Sequence, residues 1–349
     1  MPENPKSLVF FENWMDPVAE AMLAKEPGIR LTRLRFAGAV DDNWRALEAA
    51  HGYQLMASTE IQPPYLPHRA LIARCPNLLA FSVTGAGYDM VDMAACTENG
   101  IMVVNHAGAN SESVAQHVLG MMLALSKRIV QSDRRMRRGR EGWTRWDYKG
   151  KELTGRTLGI IGLGNVGRRV AALAAAFNMR VVAYDPYITA DDFRERGAEP
   201  VGYDELFQAP DFVSVNCPLT EETRGMIGKR EYGLMKPTAY FVTTARGGVH
   251  DEAALAAALA DGRLAGAGLD VFEEEPPPAD HPLLAFDNVV VSPHNAGVTD
   301  ESTYNMAASA AAQWVAIFKG ERPPRLVNTD VWPRFAERFE RMFGVPVEG

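Results

Sequence analysis

Three apolar runs in the second half of the chain each end on side chains that can handle charge or a proton. FVTTARGG places Arg246 just past such a run. GLDVFEEEP places Asp270 and then Glu273, Glu274 and Glu275 past the next, and VVVSPHNAG places His294 past a third. A guanidinium fork can grip a carboxylate or a carbonyl oxygen. An imidazole can give a proton to that oxygen and take it back. A glutamate beside the imidazole would hold the ring and keep it protonated for reduction. Such a set suits reduction of a 2-oxo acid, with a hydride arriving at C2 while His294 protonates the oxygen. Taken singly, Arg246 could cap a strand, His294 could sit satisfied in a core, and the glutamates could form a solvated turn.

The hydride needs a carrier, and GIIGLGNVGRR (159–169) supplies a place for one. Gly162-x-Gly164-x-x-Gly167 follows an apolar strand and opens an Ala-rich helix. The first glycine permits a tight turn, the second lets a pyrophosphate approach the backbone, and the third lets helix and strand pack closely. Asn165 and Val166 lie within this loop. Asp185 ends the next strand, VVAYD, where a carboxylate can accept both ribose hydroxyls and repel a 2′-phosphate. The spacing therefore points to NAD over NADP. Arg168 and Arg169, on the first helical turn, are expected to face solvent.

The elements that must position these groups alternate almost from end to end. SLVFF (7–11), TRLRF, YQLMA, NLLAFSV (77–83) and IMVVN (101–105) read as strands, with helices near Val18–Lys25 and Asp89–Glu98. TLGIIGLG, RVVAYD, DFVSVN, AYFVTTA, LAGAGLDV and NVVVSPH form a second set. One long helix is expected from Ser113 to about Arg138, and a final one over about Asp300–Lys319. The fold class is α/β: two Rossmann-like, doubly wound parallel-sheet domains. The expected division is a discontinuous substrate-binding domain, residues 1–112 and 302–349, and an NAD-binding domain, residues 113–301. Phe335, Phe339 and Phe343 predict a short amphipathic helix in the tail, packed on the same chain or on a dimer mate.

Composition excludes several classes. The 349 residues are 47% hydrophobic and 23% charged, with a formal net charge of −8, which disfavours nucleic acid and anionic membranes as partners. No apolar run approaches the ~20 residues that span a bilayer. Cys75, Cys96 and Cys217 lack metal-like spacing and point to a reducing compartment. The N-terminus lacks a signal-peptide pattern, so a cytoplasmic protein is expected. His51, His68, His106, His117, His250 and His281 show no metal spacing, and no metal is assigned. The basic stretch KRIVQSDRRMRRGR (127–140) reads as a solvated face at the end of the long helix, or as the lining of a dimer arm or of the interdomain cleft.

The chain resembles the D-isomer-specific 2-hydroxyacid dehydrogenases over about residues 50–328. The resemblance rests on TGAGYDMVD, NSESVAQH, LTGRTLGIIGLGNVG, CPLTEETRGMIG, TTARGGVHDEAAL, GLDVFEEEP and SPHNAG. It implies an inserted NAD domain, a homodimer, and Arg246, Glu275 and His294 as the catalytic set. Glu275 is singled out because it directly precedes Pro276. Asp270 looks like the residue that holds the nicotinamide amide, Cys217 and Pro218 like the loop on the adenine side, and Thr244 and Ala245 like backbone contacts near the nicotinamide. Ala86 and Gly87 resemble amides that bind the substrate carboxylate, and Asn110 an asparagine near the substrate. Gln116 and Asn295 depart from the usual pattern. Glu275 argues against formate, since the formate branch carries a glutamine there. A phosphite dehydrogenase and a non-catalytic NAD sensor or corepressor-like scaffold are the competing expectations.

Overall fold

The computed structural model describes residues 5–56, 60–139 and 141–347. Ala57, at the end of the YQLMA segment, Arg140, at the end of the basic stretch, and the first four residues lie outside them. The chain divides into two compact units, Met1–Asn110 with Val298–Gly349, and Ser111–Gly297.

Unit 1 is built on strands β1 (Lys6–Phe11), β2 (Ile29–Leu34), β3 (Gly52–Leu55), β4 (Ala80–Val83) and β5 (Met102–Val104). They form one parallel sheet in the order β2-β1-β3-β4-β5. Side chains alternate between two cores because strand residues point to opposite faces. Val9, Phe11, Tyr53, Phe81 and Val103 enter one core; Leu8, Ala80, Met102 and Val104 enter the other. Both faces of β1, β4 and β5 are covered, so those strands read as near-continuous apolar runs. β2 departs from the TRLRF expectation. It begins at Ile29 and ends at Leu34, because its register with β1 runs from Lys6↔Ile29 to Phe11↔Leu34.

Helix Asp300–Lys319 closes the second core. The Thr299 side chain caps its first turn, and Gly320 ends it in the left-handed region. Its Trp314 is fully buried and donates from Nε1 to Gln54 Oε1 at 2.9 Å. A Cβ on Gly52 would come within 2.4 Å of the Trp314 ring, so the bare backbone of β3 is the seat of that indole. Helix Trp332–Phe343 follows and buries Phe335 and Phe339 in the same core, with the Lys6 ammonium 4.5 Å from the Phe343 ring centroid. The tail therefore packs on its own chain.

Unit 2 contains β6 (Thr157–Ile161), β7 (Arg180–Tyr184), β8 (Glu199–Pro200), β9 (Phe212–Val215), β10 (Tyr240–Thr243), β11 (Gly266–Leu269) and β12 (Val289–Val291). They form a seven-stranded parallel sheet in the order β12-β11-β10-β9-β6-β7-β8. β8 is a two-residue edge strand that the sequence pattern does not announce. The single helix expected from Ser113 to Arg138 is two helices, Ser111–Ser126 and Ile129–Arg137. Arg128 adopts φ 56° between them. The Ser126 carbonyl, which a continuing helix would need, instead accepts from the Lys151 N–H at 2.7 Å. A Cβ on Gly150 would lie 2.6 Å from that same carbonyl, so the crossing chain ends the first helix.

Replacing Trp314 by Ala should destabilise unit 1 by about 3–5 kcal/mol, from lost burial, the cavity left, and an unpaired Gln54. Denaturant unfolding of the purified variant measures it; a change below about 1 kcal/mol would remove this indole from its central place in the core.

Candidate active site

The glycine loop follows β6 and opens helix Asn165–Ala176. Its three glycines answer to two different demands. Gly162 adopts φ 83°, and a Cβ there would lie 2.9 Å from the Cys217 nitrogen; a Cβ on Gly167 would lie 2.1 Å from the Gly162 carbonyl oxygen. Those two allow chain to lie against chain. A Cβ on Gly164 would meet nothing within 4 Å, so the space before the helix N-terminus is clear. That first turn has no side-chain cap and no acidic residue, leaving its positive end for an anion.

Asp185 directly follows β7, half-buried, and its two oxygens accept from Leu163 N at 2.9 Å and Tyr187 N at 3.0 Å. These bonds aim the carboxylate and leave lone pairs for ribose hydroxyls. Arg168 donates to Asn165 Oδ1, and Arg169 pairs with Glu112, so neither is directed at Asp185. Further along the same strand ends, Thr244 Oγ1 and Asn216 Oδ1 are buried without a partner among the described residues. Two orphaned polar atoms, a clear glycine and an oriented carboxylate fit a dinucleotide. Burial pushes the Cys217 thiol up to about 11, so Cys217 and Pro218 offer this face a neutral loop.

Arg246, Glu275 and His294 meet. His294 Nδ1 lies 2.7 Å from Glu275 Oε2, and His294 Nε2 lies 3.4 Å from an Arg246 terminal nitrogen, which also donates to the Ala245 carbonyl. Gly247 explains the convergence. A Cβ there would fall 2.0 Å from the Phe272 carbonyl oxygen, so only glycine lets the 272–275 turn lie against the end of β10. Glu275 Oε1 accepts from Phe272 N at 3.0 Å, which locks the carboxylate towards the ring. Glu273 and Glu274 are exposed, and Glu273 N is tied to Glu252. Burial alone would raise the Glu275 carboxyl. The hydrogen bonds from His294 and Phe272, with the nearby charges of His294 and Arg246, outweigh burial and hold it below the ordinary carboxylate range.

His294 itself is held in the left-handed region at φ 54°, which costs a non-glycine residue about 1–2 kcal/mol. Asp270 supplies the compensation. Its backbone carbonyl accepts from His294 N at 2.7 Å. Its carboxylate, 1% exposed, accepts from Ser292 Oγ at 2.6 Å, Asn295 N at 3.0 Å and Ala296 N at 3.0 Å. Asp270 thus braces the turn that carries His294. Asn295 contributes only a backbone N–H to the brace, and Gln116 is exposed and bonded to Glu112. Sequence reasoning passed over two residues here: Ser292, and His117, whose Nε2 lies 2.9 Å from Ser292 Oγ. His117 lay inside the NSESVAQH motif without an assigned role. Ala86, Gly87 and Asn110 belong to unit 1; Ala86 is exposed, and its carbonyl accepts from Asn105 Nδ2 at 2.8 Å.

A depressed folded-state carboxyl stabilises the protein above its ordinary value and loses that contribution as pH falls through the folded value. Melting temperatures taken from about pH 7 down to about pH 3 should therefore fall less steeply for Glu275→Gln than for the parent, with a lower starting value at neutral pH. Parallel curves would mean that the Glu275–His294 pair carries no such linkage.

The chain is similar to known proteins over most of its length. The family model for the D-isomer specific 2-hydroxyacid dehydrogenase NAD binding domain matches residues 119–296. A glyoxylate reductase of Korarchaeum cryptofilum is 42% identical over 258 residues, covering 73% of this chain and 78% of the relative. A D-3-phosphoglycerate dehydrogenase of Methanocaldococcus jannaschii is 42% identical over 261 residues, 74% of this chain but 49% of the relative. Among solved structures, D-lactate dehydrogenase from Aquifex aeolicus, complexed with NAD and lactic acid, superposes with a TM-score of 0.76 at 29% identity, covering 90% of this chain and 96% of that one. The chain belongs to the D-isomer specific 2-hydroxyacid dehydrogenase family and is an NAD-dependent oxidoreductase of that family.

Proposed function

We propose that the protein reduces a small 2-oxo acid to the D-2-hydroxy acid, and runs the reverse oxidation, with His294 as the acid and base. The observation that carries this reading is the contiguous set Arg246–His294–Glu275, joined at 3.4 Å and 2.7 Å. NADH, when bound, supplies the hydride that forms the new C–H bond at C2. Glu275 accepts the Nδ1 proton of His294, so Nε2, which faces the Arg246 donor as an acceptor here, is the nitrogen left to take up and release the transferable proton. Nε2 gives that proton to the carbonyl oxygen as the C=O π bond opens, and Arg246 donates to the same oxygen or to the carboxylate. In oxidation Nε2 takes the hydroxyl proton. Asp185 supports a preference for NAD over NADP, and Ala86 and Gly87 of unit 1 are the proposed amides for the substrate carboxylate.

Unit 1 has a cleft of its own. Its strand order changes direction between β1 and β3, the kind of switch point where α/β sheets bind ligands beyond the strands' carboxyl ends. A cleft of about 420 Å³, partly open to solvent, lies there, lined by Phe10, Trp14, Met15, Met56 and Met306, with Glu60 at its side. Its described lining contains no lysine or arginine, and Trp14 Nε1 is buried without a partner among the described residues. Thr84, two residues from Ala86, also lines it. A cleft so lined suits a neutral group better than a phosphorylated one, which would need cations.

The test is NADH oxidation across glyoxylate, hydroxypyruvate, 4-methyl-2-oxopentanoate and 3-phosphohydroxypyruvate, with NADPH as the alternative donor. The neutral acids should outrank the phosphorylated one, and His294→Ala should lower kcat by about 10²–10⁴-fold. NADH binding without turnover on any acid would instead favour an NAD-sensing protein.

The assembly we propose is a homodimer. Ile129 and Met136 on helix Ile129–Arg137, and Trp146 on the short 3-10 helix Arg145–Tyr148, are 54%, 62% and 67% exposed, a cost in water that a second copy would relieve. Sedimentation velocity should give a dimer, and Met136→Glu with Trp146→Glu should shift it to monomer; a parent that sediments as a monomer would overturn this.

A further inference from the structure

We infer that His117 is a positioning residue for the reaction, acting on His294 through Ser292 and Asp270. This rests on the reading of His294 as the proton donor. Three observations, all inside unit 2, converge on it.

The first is the direction of the hydrogen bonds. Ser292 Oγ lies 2.6 Å from Asp270 Oδ1 and 2.9 Å from His117 Nε2. An ionised carboxylate only accepts, so the single hydroxyl proton of Ser292 must point at Asp270. The Ser292 oxygen then has only lone pairs to offer His117, and Nε2 must carry a proton and donate it. The arrangement fixes the His117 tautomer. The chain of donors runs one way, from His117 to Ser292 to Asp270, and it survives protonation of His117, because Nε2–H is present in both charge states. His117 Nε2 also stands 3.8 Å from Asp270 Oδ1, so its charged form would sit beside that carboxylate.

The second is what Asp270 holds. Its carboxylate takes the backbone N–H groups of Asn295 and Ala296, and its main-chain carbonyl takes that of His294. Every described partner of the carboxylate therefore lies in, or reaches through, the 292–296 turn. That turn presents His294 at φ 54°. A donor that fixes the Ser292 hydroxyl on Asp270 fixes the angle at which the His294 ring meets Glu275 and Arg246.

The third is why His117 is in place at all. The helix Ser111–Ser126 lies directly on β11, whose sequence is Gly-Ala-Gly-Leu. A Cβ on Gly268 would come 3.1 Å from Met121 Cβ, and one on Gly266 would come 3.4 Å from a Leu125 methyl. The two glycines let the helix sit flush on the strand. His117, one turn before Met121 on the same face, then falls at the carboxyl end of the sheet, beside Ser292. Ser113, a further turn back, donates to the Ala296 carbonyl at 2.6 Å and ties the far end of the same turn.

The charged and titratable groups facing this assembly are Asp270, Glu275, Arg246 and His294, with His117 itself. Losing the His117 donor frees the Ser292 hydroxyl from Asp270, and it is this release that weakens the contact between His294 and Glu275. Reduction, which needs protonated His294, should then fail at a lower pH, while a scaffold defect would leave the pH profile in place.

The experiment compares four variants in full-length protein with NADH and the best 2-oxo acid of the panel. His117→Phe keeps bulk and removes the donor. It should lower kcat by about ten- to a hundred-fold, leave the KM for NADH within about threefold, and move the upper pH limit of reduction downward. His117→Gln restores an N–H donor at similar reach and should recover most of the rate and the parental pH profile. Ser113→Ala cuts another bond between the same helix and turn without touching Asp270, and serves as the scaffold comparison. His294→Ala reports on the underlying reading. If His117→Phe keeps the parental kcat and pH profile, or if Ser113→Ala shifts the profile as far as His117→Phe does, the positioning role is wrong. If His294→Ala itself keeps full turnover, it is the proton-donor reading that fails. Circular dichroism and melting temperature separate any variant that does not fold, and if that is His117→Phe, His117→Leu takes its place as the donor-less variant.

Discussion

The buried carboxylate of Asp270 is the constraint on which the site depends. Removing an ionised carboxylate from water costs several kcal/mol unless hydrogen bonds replace the lost hydration. Asp270 is 1% exposed and receives one hydroxyl and two backbone N–H groups. All three come from residues 292, 295 and 296. The charge can therefore be satisfied only if this turn adopts one shape, and that shape puts His294 in a backbone conformation that such residues rarely adopt. Solvation of one charge is converted into orientation of another group. The Glu275 carboxylate then meets a ring whose position is already set.

Glycine does a related job elsewhere in unit 2, and the reason differs from site to site. Gly167, Gly247 and Gly266 lie where a methyl group would collide with a backbone carbonyl; Gly164 lies where nothing is close. The first three bring segments together: helix to strand at the dinucleotide loop, the Glu275 turn to the end of β10, and β11 to the turn before β12. The last keeps space open. A run of glycines in sequence therefore mixes packing with ligand access, and only the surroundings separate the two.

Histidines make the same point about polar residues. His106 and His250 are pushed down to about 4, chiefly by burial, and are neutral at ordinary pH. His106 bonds Ser82 and Gln313, and His250 bonds the Tyr232 hydroxyl, so both serve their cores. His281 pairs with Glu252 at 3.0 Å and steadies the segment after Glu275. His117 looks no different from these in sequence, yet it reaches the His294 turn. Among the described residues no group of histidine, cysteine and acidic side chains could hold a metal ion, and no helix is long and apolar enough to cross a membrane.

Local chemistry made much of the architecture legible before any coordinates. Apolar runs alternating with helical stripes gave the parallel sheets, because burial on both faces leaves a continuous apolar strand. The glycine fingerprint with Asp185 pointed to the dinucleotide, because turn geometry and helix ends are properties of a few consecutive residues. Arg246 and His294 stood out because each follows a strand. Tertiary structure alone decided the rest: the break at Arg128 forced by the chain at Gly150, the seat of Trp314 on Gly52, and the link from His117 to Ser292. Those contacts join residues far apart in the chain, 175 positions in the last case. Sequence periodicity records which face of an element is buried; it carries no record of which distant element comes to lie against that face.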